Sequence, residues 1–162
     1  MVRTILILLL IALQWLVGIP DFMYDGPYWE RALLYSFFHG SWWHLAVNSL
    51  AIWTIFKPKY KTKPLQFVTV YLIAILVYPI SFRPVIGFSN VLYAVLGLRT
   101  PSLKSQWWRR TEVIVFLVVT VALIFVPRFS ATTHIAAFIL GMGCAALKRS
   151  YQRLANDFRR YL

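Results

Sequence analysis

Apolar residues along this chain fall into six runs, at residues 4–19, 33–56, 65–80, 89–98, 113–126 and 132–147. Each run predicts a helix with lipid as its solvent. Several are shorter than the ~20 residues an upright helix needs to span, so their ends must extend or the bilayer must thin. Breakers punctuate the gaps: Pro20, Gly26 and Pro27, then Pro79, Pro84 and Gly87, then Pro101 and Pro127. The fourth run covers only half a membrane thickness. The chain before it must therefore descend from the outer surface in non-helical form, which is tolerated only where protein or a water-filled cavity satisfies the backbone. Past the last run, Tyr151, Leu154, Ala155, Phe158 and Leu162 recur at helical spacing among arginines. They predict a short amphipathic helix on the inner leaflet. The expected organisation is one membrane domain over 1–149 with a basic cytoplasmic tail over 150–162. The first run has no small-x-small cleavage pattern before Pro20 and is read as a retained first helix.

A few polar side chains interrupt these runs, and each can be given a depth from its nearest cytoplasmic charge. At ~1.5 Å per residue, Asn48 lies ~14 Å deep, Ser89 ~15 Å, His44 ~20 Å and His134 ~21 Å. His39 lies ~27 Å deep, near the outer surface of a ~30 Å core. Ser89, Asn48, His44 and His134 thus share a slab although they come from three different runs. Polar groups in lipid are costly, so their recurrence at one depth points to a site.

Composition agrees with a membrane chain. Of 162 residues, 60% are hydrophobic, too many for a water-soluble globule to cover. The net charge of +12 could suggest nucleic acid, but its distribution does not. Fourteen basic residues lie at Arg3, in the gap 57–63, between Arg99 and Arg110, and from Lys148 to Arg160; only Arg31, Arg83 and Arg128 occupy the other side. The positive-inside rule then places both termini in the cytoplasm, with six crossings. The predicted class is an all-α membrane protein, a six-helix bundle around a short fourth helix.

Ser89 follows Gly87-Phe88 at the start of that short helix. It is either a plain N-cap or a nucleophile at a helix end that could stabilise an anion. His134 is either a satisfied bundle histidine or the base for Ser89. No Asp or Glu lies in any run, so a full triad is excluded and a Ser–His dyad remains. His44 and Asn48, four apart, share a helix face. They suit an oxyanion hole or, equally, helix–helix glue. His39, five before His44, points about 140° away on a continuous helix and reads as structural. A three-histidine zinc site is the competing cofactor reading. The missing carboxylate and the off-face His39 weigh against it, so no metal or cofactor is expected. The lone Cys144 excludes an internal disulfide. Ala137, Gly141 and Ala145 on the last run, with Ala94 and Gly97 on the fourth, would let those two helices approach closely.

These residues resemble the rhomboid family of intramembrane serine proteases. His39-Gly-Ser-Trp-Trp-His44-Leu-Ala-Val-Asn48 fits that family's His-x4-His-x3-Asn signature. Gly87-Phe88-Ser89 fits its Gly-x-Ser motif, with Tyr93 and Gly97 in the same helix, and His134 with Gly141 fits its last-helix motif. Trp29-Glu30-Arg31 resembles its Trp-Arg element with one residue intervening. The resemblance implies Ser89 as nucleophile and His134 as base. It implies His44, Asn48 and the Ser89 N–H as oxyanion donors, Tyr93 stacked near His134, and His39 supporting the first outer loop. Two positions depart: Asn90 and Ala137 stand where the family usually has glycine, and each adds bulk near the dyad. The implied activity is cleavage of transmembrane protein substrates in the lipid bilayer, without metal or nucleic acid. The implied location is the plasma or bacterial inner membrane. The alternatives are a non-catalytic rhomboid-like protein that binds transmembrane clients, and a small transporter. The transporter would want an ion-coupling carboxylate that the runs lack.

Overall fold

A computed structural model describes residues 2–18, 29–56, 63–81, 85–100, 114, 118, 120, 121 and 130–159, with Trp29 and Glu30 as backbone only. Among these residues all regular structure is helical. The helices are α1 (Val2–Val17), α2 (Trp29–Leu34), α3 (Trp42–Ile55), α4 (Pro64–Val77), α5 (Ser89–Arg99) and α6 (Ala131–Phe158). They do not correspond one-to-one with the six runs. The second run is divided between α2 and α3, and of the fifth only residues 114, 118, 120 and 121 are described. The gaps at 19–28 and 57–62 and the stretch 101–113 also lie outside the described residues.

The break in the second run has a local cause. After α2, a 3-10 turn at Tyr35–Phe37 leads into extended backbone at Phe38. Ser41, also extended, then caps α3, its hydroxyl accepting the His44 N–H at 3.1 Å. Hydropathy runs through this break without a change, because the residues on both sides are apolar. His39 therefore lies before α3 and not on it, and the 140° offset expected for a continuous helix does not apply.

α5 is the centre of the fold. Every residue from Asn90 to Gly97 is buried, although the helix has only 11 residues. α3, α4 and α6 pack around it, and α6 is its most extensive partner. The α5–α6 contact is backbone on backbone. A Cβ built on Gly97 would collide with the Phe138 carbonyl oxygen, and one on Gly141 with that of Ala94. Ala137 is fully buried on the same face and Ala145 nearly so. Small residues every fourth position thus set the separation of the two helices. Two arginines close the far end of α3: Arg3 reaches the Trp53 carbonyl at 3.1 Å and Arg99 the Ile55 carbonyl at 2.5 Å. Each satisfies a carbonyl that the helix end leaves unpaired.

The outer surface is apolar. Ile5, Leu8, Leu16, Leu50, Leu65, Leu72 and Leu76 are all exposed. A water-soluble monomer does not present so much apolar surface, and lipid is the solvent that accepts it. By length and composition α6 is the described helix able to cross a membrane alone; Val2–Val17 and Pro64–Ile80 are shorter apolar helices. With 28 residues, α6 is about 42 Å long, past the ~30 Å core. The tail expected as a separate helix on the leaflet is, through Phe158, a continuation of α6. No glycine or proline interrupts the chain after Gly143, so nothing stops the helix at the membrane surface.

Candidate active site

The site is built where α5 and α6 begin. Gly87 has φ +114°, a left-handed conformation that only glycine adopts without strain. It turns the chain into α5, and its N–H is held by the Tyr35 carbonyl at 2.9 Å. The Phe88 side chain is fully buried, and its N–H donates to His39 Nε2 at 3.4 Å. Ser89 is thereby presented at the first residue of α5, between a fixed loop and a buried helix.

His134 reaches Ser89 from α6. Its Nε2 lies 2.7 Å from Ser89 Oγ, and its Nδ1 lies 2.5 Å from the Ser130 carbonyl one turn earlier. A carbonyl oxygen can only accept, so Nδ1 carries the proton and Nε2 offers its lone pair to the serine hydroxyl. The ring meets Tyr93 edge-on, with centroids 4.7 Å apart and planes at 71°. The Tyr93 hydroxyl in turn bonds Thr120 Oγ1, one of the few described residues of the fifth run. Thr120 carried no signal in the sequence that separated it from other hydroxyls on apolar helices.

His44 and Asn48 close the opposite side. A Cβ on Gly87 would sit 2.6 Å from His44 Cε1, 2.8 Å from its Nε2 and 3.4 Å from Asn48 Nδ2. Both polar ends therefore converge on the loop two residues before Ser89, and a side chain larger than hydrogen at 87 would displace them. Asn48 Nδ2 also donates to the His44 carbonyl at 3.2 Å, which uses one of its two protons. His39 packs edge-on against His44, with centroids 5.2 Å apart. It meets the serine loop, a contact that a helical reading of residues 33–56 could not place. Gly141 lies two turns below His134 at the α5 contact.

From the sequence, Asn90 and Ala137 add bulk beside the dyad. The Asn90 amide instead donates to Tyr35 Oη at 2.9 Å, and Tyr35 donates to the Ala74 carbonyl at 2.8 Å. Asn90 is thus a buried link from α5 to α4. Ala137 is enclosed in the α5–α6 contact. Among the described residues no group of three or more His, Cys, Asp or Glu is arranged so that it could hold a metal ion.

No curated protein matches the chain. The family model for the Rhomboid domain matches residues 26–151, well over half of the chain, and takes in the serine loop, α3, α5 and α6 as far as Tyr151. On that match the chain is an integral membrane protein belonging to the rhomboid family.

Proposed function

We propose that this chain is an intramembrane serine endopeptidase that cleaves transmembrane protein substrates through Ser89 and His134. The observation that carries the reading is the Ser89–His134 contact of 2.7 Å with the far side of the imidazole held on a backbone carbonyl. A serine hydroxyl is a weak nucleophile and needs a base within hydrogen-bond reach. His134 Nε2 takes the Ser89 proton as Oγ adds to the scissile carbonyl carbon. The oxyanion then forms beside the N-terminus of α5, where the Ser89 N–H, His44 and Asn48 can donate to it. The imidazolium returns its proton to the leaving amine nitrogen as the C–N bond breaks, leaving an acyl group on Ser89. Water, giving a proton to the same Nε2, adds to that ester carbon, and the imidazolium then protonates Ser89 Oγ as the C–O bond breaks, which releases the acid and restores the serine hydroxyl.

A chain crossing the membrane six times, with both termini cytoplasmic, fits the basic asymmetry. The described α1, α3 and α5 are 16, 14 and 11 residues long, or about 24, 21 and 16 Å. α5 needs to cover only half the membrane, while α1 and α3 fall short of a ~30 Å core, so either their flanking residues complete the spans or the bilayer thins around them. An activity-based fluorophosphonate probe tests the chemistry without a known substrate. Labelling of Ser89 in detergent, lost in His134→Ala, supports the reading. A folded protein that does not label favours the non-catalytic, client-binding alternative.

A further inference from the structure

The Ser130 carbonyl stands where a protease triad would place a carboxylate, and its own position is fixed by side chains with no assigned role. Ser130 precedes the first residue of α6, where a serine hydroxyl usually caps the helix by accepting a backbone N–H. Here it makes no such cap. Ser130 Oγ lies instead 2.9 Å from Ser81 Oγ and 3.3 Å from Thr132 Oγ1. Ser81 lies just after the 3-10 turn that ends α4, its N–H bonded to the Tyr78 carbonyl at 3.2 Å. Both serines are buried. The carbonyl held by this pair accepts from Thr133 Oγ1 at 3.0 Å as well as from His134 Nδ1.

We propose that Ser81 and Ser130 form a hydroxyl clasp that positions the His134 base. The inference rests on the serine-protease reading and deepens it. The clasp joins the end of α4 to the start of α6. It fixes the rotation of the Ser130 peptide, and with it the direction of the carbonyl that holds the proton on Nδ1. Without Ser81 the Ser130 hydroxyl is free to cap α6, and without the Ser130 hydroxyl the tether to the end of α4 is gone; in either case the Ser130 peptide can turn. The carbonyl then leaves the imidazole plane, and the ring is free to take the tautomer whose Nε2 carries a proton and cannot accept from Ser89. Neither serine touches substrate; both are positioning residues.

The test uses the full chain in detergent, with Ser81→Ala, Ser130→Ala, the double variant and Ser81→Thr. The fluorophosphonate labelling rate at Ser89 is expected to fall about tenfold in each alanine variant, the equivalent of one hydrogen bond. The double variant is expected to be no slower than either, because the pair acts as a unit. Ser81→Thr keeps the hydroxyl and should label within about twofold of the wild type, since it retains that same bond. For a cleaved substrate the loss falls in kcat and leaves KM unchanged. Nitrogen-15 spectra of histidine-labelled protein, with His134 assigned by its absence in His134→Ala, provide a readout independent of activity. The wild type should show the Nδ1-protonated form, and the alanine variants a mixture of both tautomers. Alanine variants with wild-type rates and an unchanged His134 signal overturn the clasp, as does a Ser81→Thr variant no faster than Ser81→Ala. A wild type that fails to label overturns the protease reading, while the nitrogen-15 spectra still decide whether the serines orient His134.

Discussion

Gly141→Ala adds one methyl group where α5 and α6 touch backbone to backbone. The new Cβ would meet the Ala94 carbonyl oxygen and lie 2.9 Å from Leu98 N and 3.2 Å from the Ala94 carbonyl carbon. Ordinary carbon contacts begin near ~3.4 Å, so the helices must part by about 0.5 Å or more at this level. Neither obstacle is the flexible end of a side chain, so the strain cannot be relieved by a rotamer change. Over-packing of this kind costs about 1–3 kcal/mol. The same displacement lengthens the Ser89–His134 contact from 2.7 Å, because the serine and the histidine ride on the two helices being separated. A misplacement of ~1 Å typically costs on the order of 10²-fold in rate, so a loss of about 10–100-fold is expected. Gly143 is the internal control: on the same helix, a Cβ there meets nothing within 4 Å. Gly143→Ala should keep full activity and gain up to ~1 kcal/mol of helix propensity. The assay is the labelling rate of Ser89 beside thermal melting of both variants in one detergent. A Gly141→Ala protein that labels and melts like Gly143→Ala would refute the account of how the dyad is brought together.

His44→Ala and Asn48→Ala should each lower turnover by about 10–1,000-fold while leaving most of the protein folded. If either unfolds the protein and the remaining folded fraction is fully active, these residues are packing glue. Asn90→Gly removes the donor to Tyr35 and places glycine inside a buried helix, so melting should show a loss of about 1–3 kcal/mol. A rise in cleavage rate with unchanged stability would show that Asn90 obstructs the dyad. Reporter fusions at Lys61 and Pro127 should score on opposite sides of the membrane, and equal scores would sink the proposed topology.

Much of the α5 region was legible in the sequence because local chemistry fixes it. Gly87 before Ser89 and Thr100-Pro101 after Arg99 bracket a helix expected at 89–98 and observed at Ser89–Arg99. The small residues Gly97 and Gly141 marked the α5–α6 contact because only backbone can fill the space that they leave. The bend at 35–41 was hidden by continuous hydropathy. Its signal was Ser41, a capping residue just after Gly40 and three before His44. The Ser130 carbonyl had no signal at all, since a backbone acceptor is present at every residue. Nor did the Asn90–Tyr35 bond, which joins residues 55 apart. Spacing along a chain orders side chains on one helix, while the partner across a bundle is set by packing.

The central claim is tested most directly by cleavage of a transmembrane substrate in liposomes by the purified chain, beside Ser89→Ala and His134→Ala. The wild type should cleave, with or without a metal chelator. Each single variant should lose cleavage, and the double variant should be no worse than either, because the two residues act as one unit. Cleavage that survives in Ser89→Ala, or that the chelator removes from the wild type, would contradict the account.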